Sequence, residues 1–199
     1  MAVDQLAPLL AASTYVDHDA PAIRDLAGSL LPGNADTADY AQAAFEYVRD
    51  RIPHTATTDR QVVTVAASQV LAERTGLCHA KANLLAALLR ARGIPAGFGY
   101  QRLTLADDDS EGYCLHAFVV AILDDAPLPL DPRPGVEFDP AHQRLAFPNR
   151  AEYDEYVVPG LWAEPDPGTM AVLEQAQDLD TALRGLPDRP ATEPFERTW

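Results

Sequence analysis

The feature that most constrains the fold is a change of hydrophobic period at Gly93-Ile-Pro95. Before it, apolar residues recur every three or four positions; after it, they alternate. From about Leu77 to Arg92, Leu84, Leu85, Leu88 and Leu89 form one helical stripe. Arg90 and Arg92 complement the C-terminal dipole of that helix, and Gly93 with Pro95 stops it. Upstream, Ala20 to Leu31 reads as a short amphipathic helix stopped by Pro32-Gly33. Asp36 or Thr37 can cap a second helix through Ile52, with Tyr40, Ala44, Tyr47 and Val48 at helical spacing and Pro53 ending it. Residues 64 to 74 predict a third, carrying Val65, Val70 and Leu71.

Beyond the switch, Gly97 to Leu105 and Tyr113 to Leu123 read as strands joined by the acidic turn 106–112. Asp124 to Pro127 turns the chain again into a short segment, Leu128 to Asp131. Twelve of the 17 prolines lie between Pro127 and Pro194, which predicts loop for most of the tail. The exception is a closing helix over Gly168 to Leu186, built on Met170, Leu173, Leu179 and Leu183. Helices followed by an antiparallel meander make an α+β domain.

With 47% hydrophobic residues in 199, there is enough apolar material for one core, and wholesale disorder is excluded. Thirty acidic against 15 basic side chains give a net charge of −15, which argues against nucleic acid or an anionic membrane as partner. Two cysteines are too few for a disulfide framework. The first residues carry Asp4 where a secretory leader would be basic, and no apolar run approaches a membrane span. A cytoplasmic location with both thiols free is therefore expected; oligomeric state is not legible.

Three separated residues could carry chemistry. Cys78 opens the strongest helix, where unpaired N–H groups and the positive dipole end favour a thiolate. His116 lies inside the second strand and shares a face with Cys114, Phe118, Val120 and Ile122, the face expected to pack on the helix. Asp131 ends the next segment before Pro132. Together they could supply nucleophile, general base and orienter. Each also fits a plainer role: a small core thiol, a satisfied core histidine and a turn former.

The backbone N–H of Cys78 is a natural oxyanion donor, and Gln69, Tyr100 and Gln101 are side-chain candidates. His54 could line the cleft or simply follow the helix-ending Pro53. Cys114, two residues before His116, could form a regulatory disulfide with Cys78 or be a buried thiol. No metal is expected. Cys78, His79, Cys114 and His116 lack zinc-site spacing, and a calcium loop begun at Asp107 would place Phe118 where a bidentate carboxylate belongs. No dinucleotide fingerprint, P-loop or Gly-x-Ser-x-Gly occurs.

The block Thr75-Gly-Leu-Cys78-His-Ala-Lys-Ala-Asn-Leu-Leu-Ala-Ala-Leu-Leu-Arg-Ala-Arg-Gly-Ile-Pro95 closely resembles the Cys block of the transglutaminase-like superfamily. The His116 segment and Leu130-Asp131-Pro132 follow in the family's order. Ile52-Pro-His54-Thr, Ala67-Ser-Gln-Val-Leu71, Gly99-Tyr-Gln-Arg-Leu103, Pro134-Gly-Val136 and Arg144-Leu-Ala-Phe-Pro148 resemble a bacterial subgroup. The resemblance implies a papain-like α+β fold, with Cys78, His116 and Asp131 as a catalytic triad and no cofactor. It also implies one domain over 1–199, with a core at about 45–150 and a Pro-rich extension and helix at 151–199. The implied activity is thiol-dependent acyl transfer on a peptide, protein or small amide, ending in hydrolysis. Transfer to an amine, or a non-catalytic binding module on the same fold, are the alternatives. Many members carry Trp shortly after the histidine; Ala117-Phe118 here departs from that, so an indole oxyanion contact is not carried over.

Overall fold

Aligned Leu and Ala side chains on every face make Cys78–Arg90 a central helix: all of its residues from His79 to Arg90 are buried. In this computed structural model, which describes residues 6–31, 33 and 36–196, helices α1 (Pro21–Leu30), α2 (Thr37–Arg51) and α3 (Ala67–Glu73) pack against that helix, α4. Asp36 starts α2 by accepting from the Ala38 N–H at 2.9 Å. Helix α1 ends at Leu30; the expected stop at Pro32, like the acidic start at Asp4, lies outside the described residues.

The sheet covers the other side of α4. Its strands are β1 (Ala96–Thr104), β2 (Tyr113–Leu123), β3 (Ala126–Leu130) and β4 (Tyr156–Trp162), in the order β3-β2-β1-β4, with every pairing antiparallel. Asp124 and Asp125 both adopt positive φ, 50° and 62°, as a two-residue hairpin turn requires. The turn is therefore shorter than the sequence suggests, and β3 starts at Ala126.

Two expectations are corrected. The proline-rich tail contributes a strand, β4, and β3 carries Pro127 and Pro129. Both are edge strands, where a missing N–H costs no ladder bond, and the β1–β4 register shifts between Phe98 and Tyr100. The closing helix is two helices, α5 (Pro167–Gln175) and α6 (Leu179–Gly185). Asp178 accepts from the Thr181 N–H at 2.8 Å and begins the second one afresh.

The face of β2 that packs on α4 is also the opposite of the one expected. Leu115, Ala117, Val119 and Ala121 join the α4 leucines in one core cluster. Phe118, Val120 and Ile122 pack instead with Leu9 and Leu161. After α6, the Pro187 carbonyl accepts from the Leu115 N–H at 2.7 Å, which ties the tail to β2 beside His116. No helix among the described residues is long and apolar enough to cross a membrane.

Candidate active site

Cys78 is half-buried in the first turn of α4, facing a cavity of about 320 Å³. Three imidazoles surround its sulfur. His79 Nδ1 lies 3.4 Å from Sγ. His116 and His54 line the same cavity as Cys78, and both lower its thiol. Burial pushes the Cys78 thiol up, but the charges of His79 and His116 and the hydrogen bonds from His116 and His54 outweigh it. The thiol is held well below its ordinary value, which favours the thiolate over the thiol.

His116 is buried, and its Nε2 donates to Asp131 Oδ2 at 2.9 Å. The same oxygen accepts from the Ala146 N–H at 3.0 Å, which fixes the carboxylate. Burial alone would pull the imidazole down; the Asp131 and Cys78 charges reverse that and raise it to about 10. The structure thus brings Cys78, His116 and Asp131 together, with the contact to Cys78 made at the helix start and not across its leucine stripe.

Of the oxyanion candidates, only His54 reaches the cavity. Burial pushes its imidazole down more than the Cys78 contact raises it, so the ring is neutral. Gln69 instead accepts from the Val65 and Ala66 N–H groups at 3.0 and 3.2 Å, capping α3. Tyr100 is buried against Trp162 and accepts from the Asp166 N–H at 2.7 Å. Gln101 Nε2 donates to the Phe147 carbonyl and Asn149 Oδ1, both at 2.9 Å, and so braces a wall of the cavity. Cys114 lines the cavity as a free thiol that burial pushes up to about 12. The exposed side chains of Asp107 to Glu111 do not line it. Among the described residues no group of three or more His, Cys, Asp and Glu is arranged to hold a metal ion.

Sequence reasoning missed His79 as a neighbour of the sulfur, and it missed two cations. Lys81 is buried, donates from Nζ to the Ile52 carbonyl at 2.6 Å, and is pulled down by burial to about 8. A lysine in a helix made mostly of Leu and Ala was its only signal. Arg133 lines the cavity two residues after Asp131; only the fold brings it there.

A model of the transglutaminase-like superfamily matches residues 24–132. The chain belongs to the transglutaminase-like superfamily. The matched span contains Cys78, His116 and Asp131. Superfamily members are generally cysteine-nucleophile enzymes. Among solved structures, the chain is similar to a candidate cysteine protease from Cytophaga hutchinsonii, at 22% identity and a TM-score of 0.54 over 68% of this chain and 44% of that one. It is also similar to the periplasmic domain of TgpA from Pseudomonas aeruginosa, at 22% identity and a TM-score of 0.50 over 66% and 48%. These likenesses establish a shared fold, and the chain spans less than half the length of either. No curated protein matches the sequence.

The superfamily match ends at Pro132, one residue before Arg133. Phe147, Pro148, Arg150, Leu183 and Leu186, all further cavity walls, also lie beyond it. Cys78, His116 and Asp131 lie within the matched span, whereas several walls of the cavity come from the C-terminal segment after it.

Proposed function

We propose that the protein is a thiol-dependent hydrolase of an amide or peptide bond. Cys78 is the nucleophile, His116 the general acid–base and Asp131 its orienter. The observation that carries this reading is the buried His116–Asp131 hydrogen bond at the cavity that Cys78 also lines, with the Cys78 thiol held low. With Nε2 committed to Asp131, Nδ1 of His116 is the nitrogen that serves the sulfur and the leaving group.

The thiolate attacks the carbonyl carbon, and the carbonyl π pair moves onto oxygen. That oxyanion meets the Cys78 N–H at the helix start and the neutral imidazole of His54. On collapse the C–N bond breaks, His116 protonates the departing amine, and an acyl thioester remains on Cys78. His116 then takes a proton from water, hydroxide adds to the thioester carbonyl, and the C–S bond breaks to restore the thiolate and release a carboxylic acid that ionises to solvent. The likeness to a candidate cysteine protease supports a peptide donor. The lining by Leu77, Leu103, Leu115, Leu183 and Leu186 supports an apolar group beside the scissile bond.

The test is turnover of a fluorogenic peptide library by wild type, Cys78→Ala and His116→Ala, with circular dichroism to confirm folding. Both folded variants should lose turnover, and rapid acid quench of wild type should give an acyl adduct on Cys78 by mass spectrometry. Turnover retained in either variant would end the assignment.

A further inference from the structure

Three cations belong to the cavity or its immediate surroundings, and two are engaged by acceptors within the protein. Lys81 donates to the Ile52 carbonyl. Arg150 binds Glu155 at 2.7 Å, the Asp107 carbonyl at 2.6 Å, and the Thr104 hydroxyl. The Arg133 guanidinium is different: among the described residues it has no carboxylate or carbonyl acceptor. Its contact is stacking over the Phe147 ring, 5.2 Å from the centroid.

That stacking holds the group in place. Phe147 packs edge-on against His116, with centroids 5.1 Å apart, and its carbonyl is held by Gln101. The Arg133 N–H donates to the Asp131 carbonyl at 2.7 Å, fixing the backbone two residues from the orienting carboxylate. Arg133 is thus half-buried, pre-oriented and charged, with five N–H donors and no acceptor of its own. Asp131 binds His116 through Oδ2, and Glu155 binds Arg150. In a chain of net charge −15 an anionic substrate meets general repulsion, so a local guanidinium is what would admit one.

We propose that Arg133 is a specificity-determining residue that binds a carboxylate of the substrate next to the bond attacked by Cys78. The planar fork matches a carboxylate through two parallel N–H···O bonds. The substrate class is then an acyl donor with an apolar group in the leucine-lined part of the cavity and a carboxylate at Arg133. That carboxylate is either a peptide C-terminus or an acidic side chain. The inference rests on Cys78 being the nucleophile.

The test compares alkylation of Cys78 by iodoacetate, which carries a carboxylate, with alkylation by neutral iodoacetamide of similar size. In Arg133→Met the ratio of the two rates should fall about tenfold, and in Arg133→Lys it should recover in part. An unchanged ratio in Arg133→Met would overturn the proposal. A second arm measures protection of Cys78 from iodoacetamide by N-acetyl-Leu-Leu, by its C-terminal amide, and by N-acetyl-Glu-Leu amide. Protection by the free acid alone assigns a peptide C-terminus, and protection by the Glu peptide alone assigns an acidic side chain. Protection by none of the three, or protection unaltered by Arg133→Met, overturns the assignment. Slow labelling of wild-type Cys78 by both reagents would instead overturn the nucleophile reading beneath it.

Discussion

His116 Nε2 donates to Asp131 Oδ2 at 2.9 Å, and both residues are almost wholly buried. The bond fixes which ring nitrogen is left for Cys78. Asp131→Asn keeps the volume but loses the charge that helps raise the imidazole. The variant should fold, yet its Cys78 should react with iodoacetamide at about pH 6 at least about tenfold more slowly than wild type. An unaltered rate would remove Asp131 from the role given to it.

His54 is placed as a neutral donor beside the sulfur. His54→Ala should therefore lower kcat by about 10- to 1,000-fold with little change in KM, as for loss of one oxyanion donor. Steady-state kinetics on any peptide turned over by wild type makes the distinction. A raised KM with unchanged kcat would place His54 in ground-state binding instead.

Glu155 accepts from Arg150 and from Thr104, and the Arg150 contact leads in pulling its carboxyl down from 4.5 to about 2. A carboxyl depressed in the folded state stabilises above its unfolded pKa, and the stabilisation is lost as pH falls through the folded one. Wild type should therefore be more stable than Glu155→Gln above about pH 4.5, with the gap closing towards pH 2. Thermal melts of both proteins across that range measure it. A gap independent of pH would show that the effect is not ionic.

Gly99 faces the Phe118 ring across the β1–β2 pair, and a Cβ there would lie 2.3 Å from Phe118 Cε2. Phe118 is fully buried among Val120, Ile122 and Leu161, so the ring has little room to retreat. Gly99→Ala should cost about 1–3 kcal/mol of stability in urea unfolding. An undiminished midpoint would mean the strands shift without strain.

What was legible in the chain follows from which signals are local. Helix α4 was readable because its leucine stripe, basic last turn and Gly93-Ile-Pro95 stop all lie within one segment. Cys78, His116 and Asp131 were nameable from their residue types and order, although only the fold brings them together. The face of His116 was misjudged because β2 is buried on both sides from Leu115 to Leu123, which erases the alternation that assigns faces. Strand β4 was hidden because Pro159 and Gly160 argue against a strand, and edge position is a property of the assembled sheet. Gln69 and Gln101 carried amides suitable for an oxyanion, but α3 capping holds Gln69 away from the cavity and the Phe147 wall takes the Gln101 N–H groups.

The central claim is that Cys78 is an activated nucleophile, and its alkylation by iodoacetamide as a function of pH tests this most directly. In wild type the rate at Cys78 should fall much less steeply from about pH 8 to about pH 6 than that of an ordinary thiol with pKa near 8.5, which loses almost tenfold per unit. Cys114, with its thiol pushed up to about 12, should stay almost unlabelled throughout. His116→Ala should steepen the fall at Cys78, with His79 and His54 left to hold the thiol part of the way down. Equal, slow labelling of both cysteines in wild type, falling together with pH, would contradict the account.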